Sequence, residues 1–261
     1  MRLTAAVVAT LLAFALSGSS AGCERGRRPT TTIGDALAGS VTVLAAASLK
    51  GAFDQIGAAF EAAHPGTKTT FSYGGSDDLA RQVVSGMRAD VFAAASAATM
   101  RTVTDAEYAV GTPDTFARNQ LVIAVPEGNP MRVRSLADLA RPGVRVALCA
   151  AQVPCGAATD RVLGAAGAAL TPVAREPDVR ATLATLRRGA ADAALVYRTD
   201  VRAAGPGVDA VEFPESAQAI NAYPIAVLKN APNPAGAAAF VAYVLGPQAQ
   251  QMLADAGFQR P

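Results

Sequence analysis

The chain has 261 residues, carries 23 lysines and arginines against 21 acidic residues, and has a formal net charge of +2. This balance, together with the lack of tryptophan and of any arginine- or lysine-rich helix face, argues against a nucleic-acid partner. The length suits a sizeable core divided between two lobes of roughly a hundred residues each.

The first 40 residues predict an export signal followed by a tether. Arg2 precedes the apolar run Leu3–Leu16, which is short for a membrane span and typical of a signal peptide. The tetrapeptide Ser20–Cys23 then resembles the bacterial lipoprotein signal, so residues 1–22 are expected to be removed and Cys23 to carry lipid. An ordinary secretory cleavage with an incidental cysteine is the alternative. Residues 23–40 are polar and predict a lipid-anchored linker at the outer face of the cytoplasmic membrane, or a periplasmic protein.

Strand-like and helix-like runs alternate along the rest of the chain. Val41–Ala45 predicts a buried strand, and the apolar side chains of Leu49, Phe53, Ile56 and Phe60 share one face of a helix. Such alternation is typical of an α/β fold, with mostly parallel sheets flanked by helices.

Two longer strand-like runs are interpreted as crossovers between two lobes. They begin at Gln120 and Tyr223. The first lobe is predicted to contain residues 41–121 and 223–261, and the second lobe residues 122–222. Because open parallel sheets bind ligands at the carboxyl ends of their strands, the cleft between the lobes is the expected site.

Serine- and glycine-rich turns precede three of the predicted helices. These turns are Ala45–Leu49, Tyr73–Leu79 and Val153–Gly156. A helix start leaves about four N–H groups unpaired and carries roughly half a positive charge. Several starts that converge would hold a small oxyanion with neutral donors alone. Considered singly, Ser48 and Ser76 are equally compatible with plain N-caps.

The cysteines and the single histidine limit the chemistry. Cys149 and Cys155, six residues apart in an exported chain, predict a disulfide that would fasten the loop between them; two reduced thiols are the alternative. His64 is the only histidine. Neither a zinc site nor a Ser–His–Asp arrangement is therefore expected, which favours a binding protein over an enzyme.

An ordered set of motifs resembles the periplasmic molybdate-binding proteins of ABC importers. The motifs are Val41–Leu49, Gly75–Gln82, Ala89–Ala94, Val153–Gly156, Asp178–Leu183, Leu195–Tyr197, Phe213–Ser216, Tyr223–Val227 and Leu245–Ala249. The resemblance implies a type II periplasmic-binding fold that captures molybdate or tungstate and delivers it to an ABC permease with its ATPase. It also implies a monomer without a cofactor. A receptor for sulfate or another tetrahedral oxyanion, and a sensor of the same fold, are the alternatives.

The resemblance further implies a ligand set. Ser48 and Ser76 would each give a hydroxyl and a backbone N–H, Cys155 and Val179 a backbone N–H, and Tyr197 its phenol. Molybdenum would be bound as the oxyanion and not as a metal cation, with donors only around it and no lysine or arginine in contact. Two departures from the family pattern stand out: Cys155 occupies a position that is commonly alanine, and Gly74-Gly75 replaces a serine-rich run, which would alter the width of the pocket.

Overall fold

The computed structural model describes residues 37–261. The predicted signal peptide, the lipidation candidate Cys23 and most of the predicted linker lie outside the described residues. None of the helices within residues 37–261 combines the length and the apolar character needed to cross a bilayer.

Strands and helices follow one another in nearly regular alternation. The strands are β1 (Gly39–Ala46), β2 (Thr67–Gly74), β3 (Val91–Ala93), β4 (Asp114–Asn119), β5 (Leu121–Pro126), β6 (Val146–Cys149), β7 (Ala174–Glu176), β8 (Ala193–Tyr197), β9 (Val208–Val211) and β10 (Asn221–Val227). The α-helices are α1 (Lys50–Ala63), α2 (Ser76–Val84), α3 (Ala97–Asp105), α4 (Pro154–Ala165), α5 (Val179–Arg187), α6 (Arg198–Ala204), α7 (Pro234–Leu245) and α8 (Pro247–Asp255). Three 3₁₀ helices cover Ala47–Leu49, Ala137–Ala140 and Pro214–Ala219.

The strands form two five-stranded sheets. Their orders are β2-β1-β3-β10-β4 and β7-β6-β8-β5-β9. Within each sheet one strand, β10 or β5, runs antiparallel to its neighbours, and the other strands point the same way. The predicted α/β class with mostly parallel sheets in two lobes is confirmed. We call the first sheet with its helices the first lobe, and the second sheet with its helices the second lobe.

The chain passes between the sheets twice. The first passage is at Gln120, between β4 and β5, and the second is through the 3₁₀ helix Pro214–Ala219, which leads to β10. The side chains of these two segments meet, because Gln120 Nε2 donates to Ser216 Oγ at 2.7 Å. The residue bounds predicted for the two lobes stay a prediction.

Each lobe buries its own apolar core. The predicted helix face is confirmed in α1 and the turn before it, where Leu49, Phe53, Ile56 and Phe60 are fully buried. The Phe53 ring lies 5.7–6.1 Å from three other phenylalanine rings of the first lobe. In the second lobe the run Leu121–Val125 is buried on both faces of its sheet, as expected for a strand covered by helices on each side. These two cores hold the strand ends that form the site.

Candidate oxyanion-binding site

A small cavity lies between the lobes at the carboxyl ends of the strands. Ser48, Ser76, Cys155, Val179 and Tyr197 all line it, so the structure brings together every residue of the predicted ligand set. All five are buried. The cavity encloses about 20 Å³. A single water needs roughly 10–15 Å³, so this space suits a compact group of a few atoms.

Three helix starts direct backbone donors at this cavity. Ser76 and Val179 are the first residues of α2 and α5, and Cys155 is the second residue of α4. In each helix the first intrahelical bond is donated further along the chain: Leu79 N–H to Gly75, Ala157 N–H to Val153, and Thr182 N–H to Asp178, at 2.9–3.1 Å. The N–H groups of the three lining residues precede these bonds and so have no acceptor within their helices.

The hydroxyl proton of Ser76 is available to a ligand. Its Oγ accepts the Ala95 N–H at 3.0 Å, and Ala95 itself lines the cavity. A serine hydroxyl has one proton to donate. Since the N-cap of α2 is Gly75, Ser76 does not act as the plain N-cap that its sequence context also allowed.

A buried asparagine orients the Tyr197 phenol. Asn221 Nδ2 donates to Tyr197 Oη at 2.6 Å, and Asn221 Oδ1 accepts from Arg161 at 2.7 Å, which fixes the direction of the amide. Tyr197 Oη accepts this bond and keeps its own proton, for which the neighbouring Tyr223 phenol and a ligand in the cavity are the two acceptors. Burial raises the pKa of the Tyr197 phenol well above its usual range, so the phenol stays a donor.

A second buried pair orients Ser48. Its Oγ lies 2.8 Å from Tyr223 Oη, which in turn accepts from Asn119 Nδ2 at 3.3 Å. Asn119 Oδ1 accepts the N–H of Gln120, so the amide direction is again fixed. Either hydroxyl of this pair can donate to the other, and when Tyr223 donates, the Ser48 proton is available to the cavity.

A disulfide fastens the α4 side of the cavity. The structure joins Cys149 and Cys155, whose Cα atoms lie 5.9 Å apart, and so closes the loop that leads into α4. The Ala150 carbonyl oxygen of this loop occupies the place where a side chain at Gly156 would begin. The loop is thus packed tightly against the helix start that presents the Cys155 N–H.

Comparison with known proteins assigns the family. Residues 41–259 match the model of the bacterial extracellular solute-binding proteins. The molybdate-binding protein ModA of Mycobacterium tuberculosis is 45% identical over 222 residues, which is 85% of each chain. The molybdate-binding protein ModA of Escherichia coli is 33% identical over 238 residues, covering 86% of this chain and 91% of that one. The chain belongs to the bacterial extracellular solute-binding proteins.

Membership in this family settles two broader predictions. Solute-binding proteins act outside the cytoplasm, and they bind rather than convert their ligands, so both the extracytoplasmic location and the absence of an enzymatic role are as predicted. The solved structure of the periplasmic molybdate-binding protein of Azotobacter vinelandii shares the fold, with a TM-score of 0.74 at 23% identity over 85% of this chain and 99% of that one.

The candidate site also contains residues that the sequence analysis missed. Asn119, Asn221 and Tyr223 form the layer behind the hydroxyl groups, and Ala95 and Asp178 line the cavity itself. Asp178 departs from the expectation of donors only. Its Oδ1 accepts the Ala181 N–H at 2.9 Å, so the carboxylate caps α5, a role that an aspartate before a helix signals in sequence.

Cation ligands are not a feature of this site. Within residues 37–261 no group of three or more histidine, cysteine, aspartate or glutamate side chains is placed to hold a metal ion. The donors around the cavity are N–H and O–H groups, which suit an anion.

Proposed function

We propose that this protein captures molybdate or tungstate outside the cytoplasm and delivers it to an ABC permease with its ATPase. The observation that carries the proposal is the convergence of five predicted residues on one cavity, with hydrogen-bond partners behind the hydroxyls of Ser48, Ser76 and Tyr197. The similarity to proteins named molybdate-binding supports the choice of ligand.

Neutral donors are sufficient for this ligand. Molybdate is a dianion at neutral pH and has no proton to donate, so each of its oxygens requires a donor. The hydroxyls of Ser48, Ser76 and Tyr197 and the backbone N–H groups of the lining residues supply about seven donors, at roughly 1.5–3 kcal/mol for each hydrogen bond to a charged group. We expect the summed free energy of these hydrogen bonds to exceed the costs of desolvating the anion and ordering the cleft, which gives tight binding. No cofactor takes part, and molybdenum is cargo in the form of its oxyanion.

Selection among oxyanions follows from the size of the cavity. Sulfate has the charge and shape of molybdate but is smaller, so it would leave some of the fixed donors unpaired, which is costly in a buried site. Tungstate is nearly the same size as molybdate and is expected to bind comparably.

Capture and release require the lobes to separate. The two passages of the chain between the sheets, at Gln120 and at Pro214–Ala219, are the natural hinge for a motion of this kind. Closure would bring the Ser48 and Ser76 donors of the first lobe against the Cys155, Val179 and Tyr197 donors of the second. The closed, monomeric protein would then be the form that the permease receives.

The location proposed for the protein is the outer face of the cytoplasmic membrane, through a lipid on Cys23. The apolar run Leu3–Leu16 and the small residues before Cys23 support this proposal. A Cys23→Ala variant should move from the membrane fraction to the soluble extracytoplasmic fraction. Equal distribution of the variant and the wild type would favour ordinary secretory cleavage.

Calorimetric titration of the purified protein with molybdate, tungstate, sulfate and phosphate tests the ligand assignment. Tight binding of molybdate and tungstate with no heat from sulfate is the expected result. Equal binding of sulfate would retain an oxyanion receptor but cancel the molybdate assignment. No heat from any of the four anions would overturn the proposal and favour a sensor of other ligands.

A further inference from the structure

A second and larger cavity adjoins the oxyanion cavity. It encloses about 350 Å³ and shares Ala47 and Ser48 with the inner cavity. One side is formed by the start of α1 in the first lobe, and the other by α5 and α6 in the second lobe. We call it the outer cavity. Its position between the lobes, next to Ser48, makes it a route to the inner cavity.

Two arginines give the outer cavity an uncompensated positive charge. Arg180 and Arg187 both line it, and they are seven residues apart on α5, which places them on one face of the helix. Both are exposed, and neither forms an ion pair with any residue of the described range 37–261. The third cation, Lys50, is already neutralised by Asp54 at 2.6 Å.

The remaining acid of the outer cavity offsets little of this charge. Asp200 is buried, and its Oδ2 accepts the Tyr197 N–H at 3.0 Å. Burial raises the pKa of Asp200 to about 7, and Arg180 acts in the opposite direction. Burial thus disfavours the charged form of this carboxyl near neutral pH. Arg180 also opposes the rise that burial and Asp54 cause in the pKa of Tyr73, so its field reaches the first lobe as well.

We propose that the outer cavity is an encounter site, in which Arg180 and Arg187 attract a small oxyanion before it passes Ser48 into the inner cavity. The inference rests on the proposed function. The neutral donors of the inner cavity act over hydrogen-bond distances only, whereas two charges in a cleft act over a Debye length, about 10 Å at 0.1 M salt. Clefts of one sign raise association rates by about 10- to 1,000-fold. Because the guanidinium groups lie outside the inner cavity, they set the rate of arrival and not the lifetime of the bound state.

Stopped-flow kinetics of molybdate binding to the wild-type protein test this role. Tyr197 lines the site and the chain contains no tryptophan, so tyrosine fluorescence serves as the signal. The variants are Arg180→Gln and Arg187→Gln, each compared with Arg188→Gln. Arg188 is the matched control because it follows α5 directly, is exposed, and donates to Thr185 Oγ1 at 3.0 Å outside the cavity.

The expected result separates the two rate constants. At low ionic strength each of the first two variants should lower the association rate constant by about three- to tenfold, with less effect at about 0.5 M salt. The dissociation rate constant should change by less than about twofold, and Arg188→Gln should match the wild type. Unchanged association in both variants would overturn the encounter site while the wild type still binds molybdate. Faster dissociation alone would place the arginines in the final complex and also overturn it. A wild type that binds no molybdate would overturn the proposed function and, with it, this inference.

Discussion

Replacing Gly75 by alanine tests whether oxyanion capture requires the lobe separation described here. A Cβ at this position would lie 2.9 Å from the Pro177 carbonyl oxygen and 3.4 Å from Val153 Cγ1, both in the second lobe, and 2.9 Å from Asp77 Oδ1. The backbone of Gly75 has φ −59° and ψ 129°, which alanine adopts without strain. The contacts with Pro177 and Val153 are contacts between the lobes, whereas Asp77 belongs to the first lobe and presents the end of a flexible side chain, which can shift at little cost.

The size of the effect depends on which atoms the added methyl group would contact. Pro177 contributes a backbone oxygen, which moves only with its loop, so the methyl acts as overpacking at about 1–3 kcal/mol. That cost falls on the closed form and disappears when the lobes separate. At 1.4 kcal/mol for each factor of ten, the dissociation constant for molybdate should rise by about 5- to 150-fold. The melting temperature without ligand should change little.

The neighbouring glycine provides the matched control. A Cβ at Gly74 would meet only Leu79, at 3.7 Å, which is an ordinary van der Waals contact, although Gly74 lines the same cavity. Calorimetry on Gly74→Ala and Gly75→Ala should therefore show near wild-type affinity for the first and weakened affinity for the second. Equal affinities in the two variants would refute the view that Gly75 permits closure.

Three further predictions concern the cavity walls and the buried acid. Ser76→Ala should weaken molybdate binding by about 10- to 100-fold, because one or two hydrogen bonds to a charged ligand are lost. Ser96→Ala is the control: it removes only the N-cap of α3 and should leave the affinity measured by calorimetry unchanged. Reduction of the Cys149–Cys155 disulfide should lower the affinity and the melting temperature; intact-mass measurement of two free thiols in exported protein would contradict its role. The pKa of Asp200 is about 7 when folded and about 4 when unfolded, so the native state binds more protons between these values and its stability should fall as pH rises from 4 to 7. Thermal unfolding of Asp200→Asn across pH 4–7 should lack this decline, and an unchanged slope would exclude Asp200 as its source.

The sequence predicted the fold well because its signals are local. Periodicity in α1 and the apolar run of β5 each reflect burial against immediate neighbours, and both are confirmed. The helices that begin at Ser76 and Val179 start at the lining residues themselves. The exact start matters, because the first helical residues present the unpaired N–H groups to the cavity.

The specific role of Gly75 could not be predicted from the sequence, although the glycine pair stood out there. The glycine pair was expected to alter the width of the pocket, yet nothing local distinguishes Gly74 from Gly75. The distinction comes from Pro177, about a hundred residues away, whose carbonyl approaches one glycine and not the other. A close approach between two lobes leaves no periodic or compositional pattern in the sequence, so only the three-dimensional structure reveals it.

The direction of the hydroxyl protons was beyond sequence reasoning for the same physical reason. Tyr223 is separated from Ser48 by 175 residues, and Asn221 is separated from Ala95 by 126 residues. Neither Asn221 nor Asn119 belongs to a local sequence motif. Each amide nevertheless holds a phenol oxygen in place, because its N–H occupies one acceptor site of that oxygen. The two protons of Asn221 Nδ2 are shared among Tyr197 Oη and the carbonyl oxygens of Ala95 in the first lobe and Pro154 in the second, so one side chain bridges both lobes and orients Tyr197. The residues behind the two serines and the tyrosine thus prepare these side chains to bind a ligand. A family motif that names only the ligand-contacting positions leaves the residues behind them out.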